Sequence, residues 1–289
     1  MEYVILVIAL FVAVGKNLTS KAGGDQLTGL SNLFNLNIVI GALALIVYAL
    51  FGISFDAMND PKYILFGVLY ALFATGSATF HIMAMKYAPV ALCSLVFCAG
   101  FIITTLYCAI FLGEEISLLK AIGMVLLIAS IIAVVYRKSN GNAKTNYKFL
   151  LFSIPAMLSS GFLGITQKEF AIQYGNDEVN SYLFLSFGLM LIIFSVARLC
   201  YNPRDVKRIA TLKFIIPAFI YAAIFVATNK LNLYLASVID GVILFPFLNG
   251  GAIALTAILS YLIFKEKLNA RQWIGTASCI VSIIIVALG

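Results

Sequence analysis

Charge is scarce in this sequence. Only 11% of its 289 residues are charged, against about 25% in soluble domains, too few for an ordinary water-facing shell. It has one histidine, which argues against a histidine-built metal centre. The five cysteines, Cys93, Cys98, Cys108, Cys200 and Cys279, form no CxxC pair. They read as reduced core residues, with neither a disulfide nor a metal expected. HExxH and GxSxG do not occur. Gly15-Lys16 lacks both the earlier glycine and the following Ser or Thr of a phosphate loop. No cofactor is implied, and the chain does not read as an enzyme. A net charge of +7 would point to nucleic acid only in a soluble chain; none is expected here as a partner.

What is present is apolar length. Hydrophobic residues make up 63% of the chain and the mean hydropathy is +1.05. Runs of about 20 residues, enough for a helix to cross a hydrocarbon core, recur from end to end. Ten spans fit, at about 3–20, 33–52, 63–86, 90–112, 118–136, 148–168, 180–199, 212–234, 242–264 and 271–288. The expected fold is therefore an all-α integral membrane protein with ten transmembrane helices, in contact with the lipid bilayer. The run from Tyr3 to Val14 has no basic flank before it and no small-residue cleavage site after it. It reads as the first span rather than as a signal peptide.

The chain also contains itself twice. Glu114 to Val134 recurs as Glu266 to Val286 at a constant offset of 152 positions, with Glu114/Glu266, Gly123/Gly275 and Ser130/Ser282 among the matches. A basic linker at 139–147 then divides a first five-helix repeat, 1–138, from a second, 148–289. An odd number of spans per repeat makes the two copies inverted, an arrangement common in secondary transporters. Small residues in the duplicated helices, including Ala121, Gly123, Gly275 and Ser278, are expected at close helix contacts. Asp60 before Pro61 reads as the N-cap of the third span, and Ser117 as that of the fifth. Asn269 with Gln272 forms a capping box for the tenth.

Basic residues are distributed unevenly between the loops. Only Lys62, Lys120, Lys168 and Lys230 fall on the side reached after even-numbered spans; every other Lys and Arg falls on the opposite side. The positive-inside rule then puts both termini outside.

With Tyr87-Ala88-Pro89-Val90-Ala91, Phe111-Leu112-Gly113-Glu114 and Ile122-Gly123 in the first half, and Leu235-Ala236-Ser237-Val238, Phe264-Lys265-Glu266 and Ile274-Gly275 in the second, the chain resembles the drug/metabolite transporter superfamily. The likeness is to its ten-helix proteins made of two EamA-type halves. It covers nearly the whole sequence. It implies a solute carrier with a central cavity lined by spans 1, 3, 4, 6, 8 and 9, and a small-molecule substrate of unspecified identity. One departure is the first terminus, Met1-Glu2-Tyr3. Many members carry basic residues there and are thought to keep both ends in the cytoplasm, which opposes the loop count.

Intramembrane polar residues are costly and usually face a cavity or a partner. Lys16 and Asn17 end span 1, His81 lies late in span 3, Gln167, Lys168 and Glu169 end span 6, and Asn229 and Lys230 lie late in span 8. Because the repeats are inverted, these clusters fall toward opposite membrane faces, as two polar gates around a central site. Lys86 and Lys168 read as lysines snorkelling to headgroups; Lys16 and Lys230, grouped with amides and hydroxyls, read as pathway residues. His81 is open to three readings: a hydrogen-bonded core residue, a substrate contact, or a group carrying a coupling proton. Glu114 and Glu266 read as structural carboxylates at helix starts, whereas Glu169 is a candidate for charge coupling. Phe97, Tyr107 and Asn249 are candidate cavity lining. Pro155, Pro217 and Pro246 are candidate hinges, because each removes a backbone hydrogen bond inside its span.

These residues predict a secondary transporter in the cell membrane, working by alternating access on a small polar metabolite. The excess of lysine along the pathway favours an amino acid or related carboxylate. A quaternary-ammonium compound held by aromatics is the alternative within the class, and an integral-membrane enzyme acting on lipid-linked phosphates is the alternative outside it.

Overall fold

The computed structural model describes residues 2–23, 30–54, 56–87, 93, 96–135, 147–201, 212–265 and 270–289. Their helices are α1 (Glu2–Gly23), α2 (Leu30–Leu50), α3 (Pro61–Ala84), α4 (Gly100–Phe111), α5 (Leu118–Val135), α6 (Tyr147–Tyr174), α7 (Val179–Tyr201), α8 (Leu212–Val238), α9 (Gly241–Phe264) and α10 (Ala270–Leu288). Among the described residues there is no strand. Eight of these helices are long and apolar enough to cross a membrane by length and composition; the fourth and fifth apolar helices are shorter. The fourth span is not one continuous helix, since a turn at Ala99 separates 96–98 from α4. The sixth runs beyond its expected end, to Tyr174. The proposed repeat boundary, Glu266 and the Asn269 cap lie outside the described residues.

The local signals at helix ends act as the side-chain chemistry requires. Asp60 Oδ1 accepts from the Lys62 N–H at 2.9 Å, with Pro61 at the first helical position, where a missing N–H costs nothing. Tyr174 donates to the same carboxylate. That bond, with the Lys62 amide, holds Asp60 below the usual carboxylate range. Ser117 Oγ accepts from the Lys120 N–H at 3.1 Å and starts α5. Gly175 follows α6 with φ +69°, the left-handed conformation that ends a helix without a Cβ clash.

Successive helices reverse direction. The odd-numbered helices end on one face of the bundle, here face A, and the even-numbered ones on the other, face B. Packing follows the duplication. Helices α5 and α10 pair with each other, as do α2 with α7 and α4 with α9; α3 against α6 is matched by α1 against α8, and α4 against α6 by α1 against α9. One departure lies in the interior: α6 packs on α8, whereas α1 and α3, their counterparts, share no comparable contact. Thus α6 and α8 pack on one another, whereas α1 and α3 do not do so to a comparable degree.

Glycine sets the closest approaches. A Cβ on Gly161 would lie 2.9 Å from the Gly100 carbonyl oxygen and 2.8 Å from Ile103 Cβ, and Thr104 Oγ1 donates to the Gly161 carbonyl at 2.9 Å. Likewise Gly123 of α5 sits against Ile285 and Val286 of α10, in line with small-residue packing between membrane helices. Gly161→Val is expected to cost about 1–3 kcal/mol through overpacking. The check is the unfolding midpoint in detergent, and an unchanged midpoint would contradict this contact.

The outside is apolar, with Leu65, Leu72, Leu118 and Val125 among its exposed side chains. Several polar residues are inside instead. Arg198, counted from sequence among the loop charges, is 1% exposed in the last turn of α7. The stretch Asn32 to Asn37 is buried in α2. Neither position follows from residue type, because both depend on how α2 and α7 pack on one another and on α3 and α8.

Candidate functional site

One set of interior polar residues comes from α1, α3, α4, α6, α8 and α9, and it is stacked in layers between the two faces. Toward face A, Lys16 Nζ lies 5.6 Å from the centroid of the Phe225 ring, with Cys98 nearby. Lys16, Cys98 and Tyr221 are each partly buried. Among the described residues no carboxylate lies against Lys16. The Asn17 amide donates to Thr256 Oγ1 at 3.2 Å, tying α1 to α9 beside it. His81 packs against Phe97 with ring centroids 4.6 Å apart, and its buried Nδ1 has no hydrogen-bond partner among the described residues.

The next layer is a buried floor. Tyr70 donates to Asn229 Oδ1 at 2.6 Å, Asn229 Nδ2 donates to the Phe225 carbonyl at 2.9 Å, and Gln167 reaches the Tyr70 hydroxyl. Beside it Tyr48 donates to the Val226 carbonyl at 2.9 Å. Tyr70, Gln167 and Asn229 join α3, α6 and α8.

Nearer face B is an ion pair. Lys168 Nζ is 3.0 Å from Glu114 Oε1, with side chains 6% and 10% exposed. The same ammonium donates to the Ile239 carbonyl at 2.8 Å, and Glu114 Oε2 accepts from the Val242 N–H at 2.9 Å. Tyr107 donates to Glu169 Oε1 at 2.6 Å alongside. Two readings from sequence are corrected here. Lys168 does not snorkel to a headgroup, because a carboxylate and a carbonyl inside the bundle satisfy it. Glu114 does sit at a positive helix end, but at that of α9 rather than its own α5.

The remaining candidates are dispersed. Lys230 lies 3.8 Å over the Phe51 ring toward face B, away from Lys16. Asn249 donates to the Phe245 carbonyl of its own helix at 2.9 Å. Pro155, Pro217 and Pro246 are inside α6, α8 and α9. Sequence reading left Lys168 and Glu114 out of the site, yet a signal for them was present: the offset that aligns Glu114 with Glu266 also aligns Lys16 with Lys168. Tyr70 had no such signal.

The family model for the EamA-like transporter family matches the chain twice, over residues 1–136 and 148–288. A solved structure described only as "Crystal structure of protein" is similar over 99% of this chain and 97% of its own, with a TM-score of 0.71 at 14% identity. At that identity the likeness concerns the fold alone. No curated protein matches.

Proposed function

The chain belongs to the EamA-like transporter family, so it is a multi-pass membrane transporter of the drug/metabolite type. From that premise we propose that it is a secondary carrier for a small carboxylate-bearing metabolite, such as an amino acid, working by alternating access. Lys16 binds the carboxylate. The observation that carries this reading is Lys16 itself, an ammonium within the bundle, over an aromatic face, with no described carboxylate beside it. A cation at that depth is costly unless something neutralises it, and an anionic solute does so. The same charge counts against a quaternary-ammonium substrate. An enzyme acting on lipid-linked phosphates would need acid, base and anion-binding groups at one depth, whereas His81 and Glu169 are near opposite faces.

By the loop charge count, face A is cytoplasmic. Substrate then enters from the cytoplasm between α1 and α3, which do not pack on one another as α6 and α8 do, and Tyr70, Gln167 and Asn229 form the floor it meets. The floor must part for substrate to cross, and the prolines in α6, α8 and α9 give those helices points at which to bend.

Flux in proteoliposomes tests the reading. Radiolabelled amino acids and simple carboxylates are expected to move at least tenfold faster than their amides or choline. Movement of choline in preference to every carboxylate, or no flux of any solute, would refute it.

A further inference from the structure

Lys16 and Lys168 occupy the same place in the two repeats, 152 positions apart, and their surroundings differ. Lys16 is only partly buried, with the Phe225 ring 5.6 Å from its ammonium and no carboxylate against it among the described residues. Lys168 is 5% exposed and holds a carboxylate. That carboxylate, Glu114, comes from the loop after α4 in the first repeat. Its other oxygen accepts from Val242 in α9, and Lys168 also holds Ile239 at the end of α8. Three segments from both repeats therefore meet at one carboxylate, toward face B.

We propose that Glu114 is a tethered occupant of a carboxylate site made by Lys168 and the first turn of α9, and that a carboxylate-bearing substrate opens face B by taking its place. The inference rests on the carrier reading above. Opening face B separates α6 from α8, and the bonds from Lys168 to Glu114 and Ile239 cannot both survive that movement. Without a replacement anion, Lys168 would be left as an uncompensated buried charge, which is heavily penalised. A substrate carboxylate replaces Glu114 like for like: one oxygen on the ammonium, the other on the Val242 N–H. The exchange is then close to balanced with substrate and unfavourable without it, so the empty carrier stays shut on this side. Lys16 receives the carboxylate from face A, and Lys168 is its equivalent on the way to face B. Each lysine serves the half of the pathway that its repeat controls.

Cys108 reports on this directly. It is 0% exposed, its carbonyl accepts from the Glu114 N–H at 3.2 Å, and its thiol lies close to Glu114, Lys168 and Glu169. The experiment uses the full chain with Cys93, Cys98, Cys200 and Cys279 replaced by alanine, reconstituted and exposed to an impermeant methanethiosulfonate at face B. Cys108 is expected to be protected at rest. Glutamate, succinate or propionate should raise its labelling rate at least tenfold, and the matching amides should leave it unchanged. Glu114→Gln should label fast without any carboxylate, as should Lys168→Met, while Lys168→Arg should behave as the parent. Labelling that is indifferent to every carboxylate, or equal for carboxylates and amides, would overturn the proposal. That comparison is made on an intact ion pair, so it stands even if Glu114→Gln misfolds. Carboxylate flux without carboxylate-dependent labelling refutes the tethered occupant and leaves the carrier standing. No flux of any solute refutes the carrier.

Discussion

Lys16→Ala is expected to lower the affinity for a carboxylate substrate about a hundredfold, through the loss of roughly 3 kcal/mol from a desolvated charge contact. The size of the effect comes from the setting of Lys16. In water an ammonium and a carboxylate at contact gain about 1 kcal/mol; in a partly desolvated interior the same pair gains several times more. Lys16→Arg keeps the charge but replaces a compact ammonium with a planar fork, so it should retain part of the affinity. Lys16→Met keeps the length and the contact with Phe225 without the charge, and should match alanine. Binding can be read by calorimetry on detergent-solubilised protein, and flux in proteoliposomes. Equal carboxylate affinity in the methionine and parent proteins would mean that Lys16 packs against Phe225 without meeting substrate.

Lys168→Met should destabilise the protein by about 3–5 kcal/mol, because it leaves the Glu114 carboxylate buried with only the Val242 amide. The penalty arises from the charge that remains, which makes a second substitution diagnostic. In Glu114→Gln/Lys168→Met no charge remains, and the glutamine can still accept from Val242. The double variant should therefore recover most of the stability lost by Lys168→Met. Denaturant or thermal unfolding in detergent compares the parent, Glu114→Gln, Lys168→Met and the double variant. If the double variant were as unstable as the sum of the singles, the two side chains would be acting independently, and the 3.0 Å pair would not be the source of the effect.

The sequence shows more of the fold than of the site. Spans are legible because each must be continuously apolar, and five-plus-five duplication is legible because an offset is a property of the string. The Asp60-Pro61 and Ser117 starts are legible because capping is local. Position around a helix is not. In a membrane both lipid-facing and core-facing sides are apolar, so periodicity says little about which side meets a neighbour. Arg198 shows this: its nearness to the end of a span suggested a loop charge, and the packing of α7 on its neighbours buries it. Tyr70 is similar, since nothing in α3 separates it from other aromatics until Asn229 of α8 is opposite its hydroxyl.

Glu114 and Lys168 mark the boundary between the two kinds of knowledge. The string by itself determined that the chain is a bundle of apolar helices built from two inverted copies, that a lysine recurs at the same place in each copy, and that a glutamate recurs after each fourth span. Only the tertiary structure decided that one lysine lies over an aromatic ring with no described carboxylate against it, while its repeat mate is tied to a glutamate more than fifty positions earlier in the chain. The reason is physical. An inverted repeat assigns both halves the same local chemistry, but α6 packs on α8 while α1 and α3 share no comparable contact, so equivalent side chains end in different surroundings.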